Sequence, residues 1–378
     1  MLTPAGREPF LAALASKTCW HQPVDRATDM PALLSWSTIE TLMGGNLVPR
    51  EKFRIVVDGN DLARAVYCDG EGRPRPDVVQ SLAAQGATMA INSIDMLVPA
   101  IARLGVALER ALRSRVGVNC YLTFGAGSAF PPHCDAHDVL VLQLYGAKRW
   151  RRFGIPSAFP VRGNRPVVAE PIWEGSMAPG DLLFLPRGEV HSAVPLSRPS
   201  VHLTFGLHEP TGADVLHWLA TKAADVEVVR RGVGPTLTGE ARTLREQELK
   251  SALHGLIDEM TVAAFLTDQD VERLFQSFAP LRMLGPEGVT IGPEDRLVSA
   301  LRRRLDLATG KAGEAVLLIG KKRIRLSHLA RRALTELTLH DPLPAAALAH
   351  ALGVDFYDSD FAGALEQLVR ESLISLAI

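Results

Sequence analysis

Several things are scarce in this chain of 378 residues, and each scarcity excludes something. There are four cysteines, Cys19, Cys68, Cys120 and Cys134. None stands in C-x-x-C spacing, so no small disulfide framework organises the fold. Isolated thiols suit a reducing compartment, the cytoplasm. Neither sign of charge dominates, with 41 Lys and Arg against 42 Asp and Glu and a net charge of −1. No overall field therefore recruits nucleic acid or a membrane. No apolar run is long enough to span a bilayer. The segment from Met1 to Phe10 lacks the pattern of a secretory signal. Internal repeats and low-complexity tracts are absent as well. What remains reads as a folded intracellular protein of two or three domains.

Against that plain background one pattern stands out. His133-Cys134-Asp135 is answered by His191, an H-x-D…H arrangement. Two imidazoles and a carboxylate can occupy one face of an octahedral Fe(II). The opposite face then stays open for an organic co-substrate and O₂. Chance matches are expected in a chain with 11 histidines and 42 acidic residues, so the pattern gains weight only from its surroundings. Side chains two apart in a strand share a face, which would put His133 and Asp135 together and turn Cys134 away. Asp138 to Tyr145 is an apolar run that reads as a buried strand ending at Gly146. Gly180 to Gly188 reads as turn, short apolar strand and turn, delivering His191 at the start of another strand. Ligands brought together from distant strands suit a small β-barrel with a ligand in its mouth.

The stretch from Asn119 to Trp150 and the later stretch from Gly180 to His191 resemble the JmjC-type ribosomal oxygenases of the cupin superfamily. His202-Leu-Thr-Phe205 looks like the strand that follows in that family. The resemblance implies an Fe(II)- and 2-oxoglutarate-dependent hydroxylase built on a double-stranded β-helix, using O₂. By that resemblance His133, Asp135 and His191 bind iron. Lys148 matches the basic residue that pairs with the far carboxylate of 2-oxoglutarate. The family's bacterial branch often has Arg at that place and its eukaryotic branch Lys. Asn119, Tyr121 and Thr123 fall where the family lines the co-substrate pocket.

The chemistry of these residues agrees. The far carboxylate of 2-oxoglutarate needs a cation and hydroxyl donors inside the protein. Lys148, just past the Gly146 turn, could reach inward, although Arg149, Arg151 and Arg152 beside it cannot all do so. A solvated surface lysine is the bland alternative. Asn119, Tyr121 and Thr123 alternate along one strand face, as a pocket lining or an ordinary solvent face would. The metal would carry the oxidation, so no protein acid or base is required. His137, His202 and Thr204 are further candidates for the cavity wall, and Arg187 for its mouth. Cys120 and Cys134 have only their place in sequence to recommend them. Gly125-Ala-Gly127 lacks dinucleotide-binding spacing and reads as a loop.

Three regions follow along the chain. Residues 1–210 hold the barrel, with expected helices over 31–43, 76–85 and 95–114 and a strand over 52–58. The last of these helices carries the stripe Leu97, Ile101, Leu104, Leu108 and Leu112. Residues 211–290 read as a helical module. One stripe comprises Leu249, Leu253, Leu256, Ile257 and Met260. A second comprises Val271, Leu274, Phe275 and Phe278, after a Thr267-Asp268 N-cap. In the resembled family this module makes a homodimer, while an intramolecular cover for the barrel is the competing reading. Residues 291–378 suggest a winged helix, with helices over 326–339, 344–352 and 361–371 and a terminal strand over 373–378. The basic cluster Lys321 to Arg325, with Arg331 and Arg332, is the only local support for nucleic-acid binding. A solvated face is the better reading of it. The expected substrate is a side chain of a protein or peptide, with a ribosomal protein implied by the family. Alternatives are a tailoring oxygenase of a biosynthetic peptide or small metabolite, and a non-enzymatic cupin that binds or regulates.

Overall fold

A computed structural model describes residues 4–24, 30–127, 130–160, 170–272, 290–302, 315–319, 322–340 and 342–376. The chain divides into two compact units, Met1–Glu209 and Pro210–Ile378.

Among the described residues of the first unit, six α-helices and eleven strands follow one another. They are α1 (Pro4–Ser16), β1 (Trp20–Gln22), α2 (Met30–Leu33), α3 (Trp36–Gly44), β2 (Phe53–Val57), β3 (Asn60–Asp61), α4 (Arg64–Tyr67), α5 (Pro76–Ala84), β4 (Thr88–Ile91), α6 (Pro99–Leu112), β5 (Arg115–Thr123), β6 (Asp138–Tyr145), β7 (Lys148–Gly154), β8 (Trp173–Met177), β9 (Leu182–Leu185), β10 (Val190–Pro195) and β11 (Ser200–His208). The strands form an eight-stranded sheet, β1-β9-β6-β11-β5-β4-β2-β3, and a three-stranded sheet, β10-β7-β8. All pairings in both sheets are antiparallel.

Side-chain alternation explains why the large sheet has two different faces. On β5, Val116, Val118, Cys120 and Leu122 join the main apolar core with Ile101 and Leu108 of α6. Asn119, Tyr121 and Thr123 take the other face and line a cavity. On β6 both faces are covered, so apolar residues occupy both, with Asp138 and Gln143 as buried polar exceptions. Leu140, Leu142 and Leu144 join the main core. Val139 and Val141 join a smaller cluster with Trp150, Met177, Leu183 and Leu185. That second cluster draws on both sheets and fills the space between them.

Several expected elements differ in detail. The expected helix over 31–43 is two helices, because Ser35 caps a new start by accepting from Thr38 N. The helix expected from Asp95 begins at Pro99, a residue suited to a first helical turn, and Ile94–Met96 is a separate 3₁₀ turn. His133 and Asp135 are not in a strand, since β6 starts only at Asp138. Pro131 and Pro132 precede them and have no N–H to give a ladder. His133 instead forms an isolated bridge with His191, its N–H donating to His191 O at 3.1 Å and its O accepting from His191 N at 2.9 Å.

The second unit contains α7 (Gly212–Ala223), α8 (Glu227–Arg230), α9 (Gly239–Glu259), α10 (Val262–Glu272), β12 (Arg296–Ser299), β13 (Ala315–Ile319), β14 (Lys322–Leu326), α11 (His328–His340), β15 (Leu343–Pro344), α12 (Ala345–Leu352), α13 (Ser359–Arg370) and β16 (Ile374–Leu376). Its core gathers Leu334, Leu337, Leu348, Phe361 and Leu368 from α11, α12 and α13 under β12 and β16. Thr267 and Asp268 lie inside α10 rather than at its start. Asp268 accepts from Trp218 Nε1 at 2.9 Å and pairs with Lys222. Leu274, Phe275 and Phe278 fall outside the described residues, as do Lys321, Ala377 and Ile378. Among the described residues no helix is long and apolar enough to cross a membrane.

Candidate metal centre and its cavity

A cavity of about 280 Å³ opens between the two sheets of the first unit. Its floor comes from Thr88 on β4, Asn119, Tyr121 and Thr123 on β5, and His202 and Thr204 on β11. Lys148 and Trp150 on β7 and His191 on β10 face them from the small sheet.

The three residues of the H-x-D…H pattern meet in this cavity. His133, Asp135 and His191 each offer a ligand atom, and these atoms lie within 4.8 Å of one another. The backbone bridge between His133 and His191 fixes the first and last members. The Gly188 N–H donates to Asp135 O at 3.0 Å and holds the middle one. The orientation of each imidazole is fixed too. His133 Nδ1 lies 2.9 Å from Pro131 O, and His191 Nδ1 lies 2.9 Å from Glu189 O. A carbonyl can only accept, so both Nδ1 atoms carry the proton and both Nε2 lone pairs are left for a metal. His191 Nε2 stands 3.7 Å from Asp135 Oδ2. Burial, then the neighbouring His133, lowers the His191 pKa, which favours the neutral ring that a metal requires.

Lys148 reaches inward and is 4% exposed. Its Nζ donates to Thr123 Oγ1 at 3.1 Å and lies 2.9 Å from His202 Nδ1. Thr88 Oγ1 donates to Thr123 Oγ1 at 3.3 Å and closes the deep end. Tyr121 stacks on His202 with ring centroids 5.1 Å apart and planes 14° apart. Burial raises the Tyr121 phenol above its ordinary value and lowers His202 well below its own. Asn119 is tied by accepting from Ser93 N at 3.0 Å.

The other sequence candidates divide. His137, His202 and Thr204 line the cavity. Arg187 does not; its guanidinium lies 4.5 Å over the Phe159 ring and donates to Ala158 O. Cys120 is buried on the far face of β5. Cavity residues not anticipated include Arg54, Thr88, Phe130, Trp150, Ala193 and Pro195. Trp150 could have been found, because it stands two residues after Lys148 on one strand.

An antiparallel double-sheet barrel with two imidazoles, one carboxylate and a buried lysine in one cavity defines a class of cupin-like proteins. Residues 96–215 match the family model of the JmjC domain, within a chain of mixed α and β structure. Two similar proteins are named bifunctional lysine-specific demethylase and histidyl-hydroxylase NO66. The Aedes aegypti protein is 27% identical over 65% of this chain and 42% of its own length. The Culex quinquefasciatus protein is 29% identical over 53% of this chain and 33% of its own. The chain thus spans less than half the length of these curated relatives. Among solved structures, YcfD, a ribosomal oxygenase from Escherichia coli, in complex with cobalt and succinic acid superposes with a TM-score of 0.60. The identity is 17%, over 100% of this chain and 99% of that one. Its complex with cobalt and 2-oxoglutarate gives a TM-score of 0.56 at 17% identity and the same coverage. At these identities the likeness is one of fold.

Proposed function

We propose that the chain is an Fe(II)- and 2-oxoglutarate-dependent oxygenase that hydroxylates a side chain of a protein, with a ribosomal protein as substrate. The observation carrying this reading is one cavity holding both His133–Asp135–His191 and the buried Lys148. The donor set fits ferrous iron: two imidazoles with Nε2 free and one carboxylate leave further coordination positions open. In the proposed assignment His133, Asp135 and His191 hold the metal. Lys148 and Thr123 anchor the far carboxylate of 2-oxoglutarate, and Tyr121 and Asn119 shape the wall between. When bound, iron and 2-oxoglutarate supply the coupling of O₂ to oxidation of a C–H bond, releasing succinate and CO₂. The protein binds, orients and excludes water, with Phe130, Val139, Trp150, Ala193 and Pro195 as the apolar walls.

The ribosomal substrate rests on the YcfD fold and on the histidyl-hydroxylase named among the relatives. The second unit is read as a helical module over 211–290 and a winged-helix-like domain over 291–378. The support for the latter is three packed helices, α11 to α13, with β12 and β16. The helical module is assigned to a homodimer. Four free cysteines suit a cytoplasmic address.

The test is succinate formation from 2-oxoglutarate by the protein loaded anaerobically with Fe(II) and then exposed to air. Slow uncoupled turnover is expected, abolished in His133→Ala and weakened at least tenfold in Lys148→Ala. Absence of both turnover and 2-oxoglutarate binding in the iron-loaded protein would refute the reading.

A further inference from the structure

The deep end of the cavity holds one residue, His202, that the ligand assignment does not use. Lys148 is buried and has two hydrogen-bond partners among the described residues, the Thr123 hydroxyl and His202 Nδ1. An ammonium has three hydrogens to give. Two are directed at these partners and one is left for the cavity. Against the charged lysine the imidazole of His202 must accept through Nδ1, because an ammonium cannot, and this sets the ring as the Nε2–H tautomer in that state. The flat stack of Tyr121 on one face of His202 and Trp150, T-shaped against it with ring centroids 5.6 Å apart, hold the ring in that plane.

Among the described residues, the surroundings of Lys148 contain no counter-charge. On β5 stand Cys120 and Tyr121, the first a thiol pushed up to about 12 by burial and the second a phenol raised by burial. On β11 stands His202, kept neutral chiefly by burial and then by Lys148 itself. From β4 comes Thr88, from β7 Trp150, and opposite Lys148 in register are Met177 of β8 and Pro195 of β10. The charged groups of the cavity lining, Arg54 and Asp135, are not among its hydrogen-bond partners.

We propose that His202 is the positioning residue of the co-substrate site: by accepting from Lys148 it aims the remaining Nζ hydrogen into the cavity, so that a dicarboxylate binds together with one proton. This deepens the 2-oxoglutarate reading and rests on it. Burial lowers the lysine to about 7 when no anion is present. A carboxylate placed against Nζ restores the charged form. Coupling is reciprocal, so the proton strengthens anion binding as much as the anion strengthens proton binding. The balance is simple: the free protein with a neutral Nζ takes up one proton from solvent as the dianion docks, and no bond is otherwise made or broken.

The experiment is calorimetric titration of 2-oxoglutarate into the Mn(II)-saturated full chain from about pH 6 to 9, in phosphate and in Tris. The two buffers differ in ionisation enthalpy, so the difference in heat counts protons taken up. Wild type is expected to bind with little proton uptake near pH 6 and with uptake approaching one proton above about pH 8. Its affinity should fall about tenfold per pH unit above 7. His202→Phe keeps a ring against Tyr121 but removes the acceptor. It should bind about tenfold more weakly near pH 6, and its affinity should begin to fall at a lower pH. His202→Asn, whose amide oxygen can accept from Nζ, should recover both. Lys148→Arg cannot lose its proton, so it should show no uptake and a flat profile. Wild-type binding without proton uptake, a His202→Phe variant equal to wild type, or uptake persisting in Lys148→Arg would each overturn the proposal while leaving 2-oxoglutarate binding in place. No binding at any pH would instead overturn the co-substrate reading and this proposal with it.

Discussion

An ammonium held against a threonine hydroxyl and an imidazole, with no carboxylate at its side, costs a fold stability. For Lys148 the folded-state value of about 7 lies below that of an unfolded lysine. The unfolded chain therefore holds the extra proton through the window between them. Stability rises with pH across that window; the penalty is complete below about 7 and absent above the ordinary lysine value. At neutral pH and below the penalty is roughly 2–5 kcal/mol. Lys148→Met should raise the melting temperature near pH 6 and abolish 2-oxoglutarate binding. An unchanged or lower melting temperature would contradict the penalty. Such a conflict between stability and binding is what a functional site leaves behind. Much of it was legible at this scale. His133, Asp135, His191 and Lys148 could be named because the segments that carry them resemble the JmjC-type ribosomal oxygenases; the H-x-D…H pattern alone was weak among 11 histidines and 42 acidic residues. Asn119, Tyr121 and Thr123 came from the same resemblance, and period two put them on one face without saying whether it met a pocket or solvent. Arg54 and Thr88 were not legible, because they reach the cavity only through the β2–β4–β5 pairing, a register that no local pattern encodes. Phe130 was hidden by ordinary apolar character.

The elements around the centre owe their geometry to a few backbone positions. Gly188 has φ +83°, a region that costs an L-residue strain, and a Cβ there would stand 2.1 Å from Ser157 O. Its N–H donates to Asp135 O. The turn that ends the β9 segment thus also fixes the carboxylate contributed from the loop before β6. Gly188→Ala should destabilise the protein by about 1–2 kcal/mol. It should also weaken divalent-metal affinity, measured by titration of Mn(II), by more than the same substitution at Gly117. Gly117 lies in extended β5 with open space where a Cβ would go. Equal metal affinity in the two variants would separate the turn from the centre. Reading His133 and Asp135 as strand neighbours put together two residues that the structure also gathers, but by a different route. Alternation was assumed to start with the histidine, whereas the two prolines before it keep the segment out of the ladder. The proposed ligands are joined by one bridge and one glycine N–H instead. The helix over 31–43 failed similarly, since periodicity alone could not reveal that Ser35 would serve as a cap.

Over the whole molecule, the sharpest contrast is between two helical stripes that look alike in sequence. Ile101 and Leu108 of α6 are buried in the core of the first unit. The stripe of α9 has no buried residue among those described, with Leu253 38% and Ile257 50% exposed. Sequence periodicity reports which face of a helix is apolar but not what covers it. That is why an internal cover and a homodimer were both compatible with the pattern. Within the second unit, Arg245 ties α9 to the α8 segment through Val228 O at 2.7 Å and Arg231 O at 2.9 Å. Arg245 shares a helix face with the half-buried Leu249 and Leu256, and Leu253 and Ile257 at the edge of that face stay exposed, a surface that a second copy could cover in the proposed homodimer. In the proposed homodimer, Leu253→Glu with Ile257→Glu should convert a sedimenting dimer to monomer. Because both positions are already half exposed, the monomer should keep its fold, with circular dichroism unchanged and Mn(II) affinity in the first unit within about twofold of wild type. A wild-type chain that sediments as a monomer at micromolar concentration would remove the dimer from the reading. A dimer indifferent to both substitutions would move its interface off this face. Neither result would touch the cavity, whose lining residues all belong to the first unit.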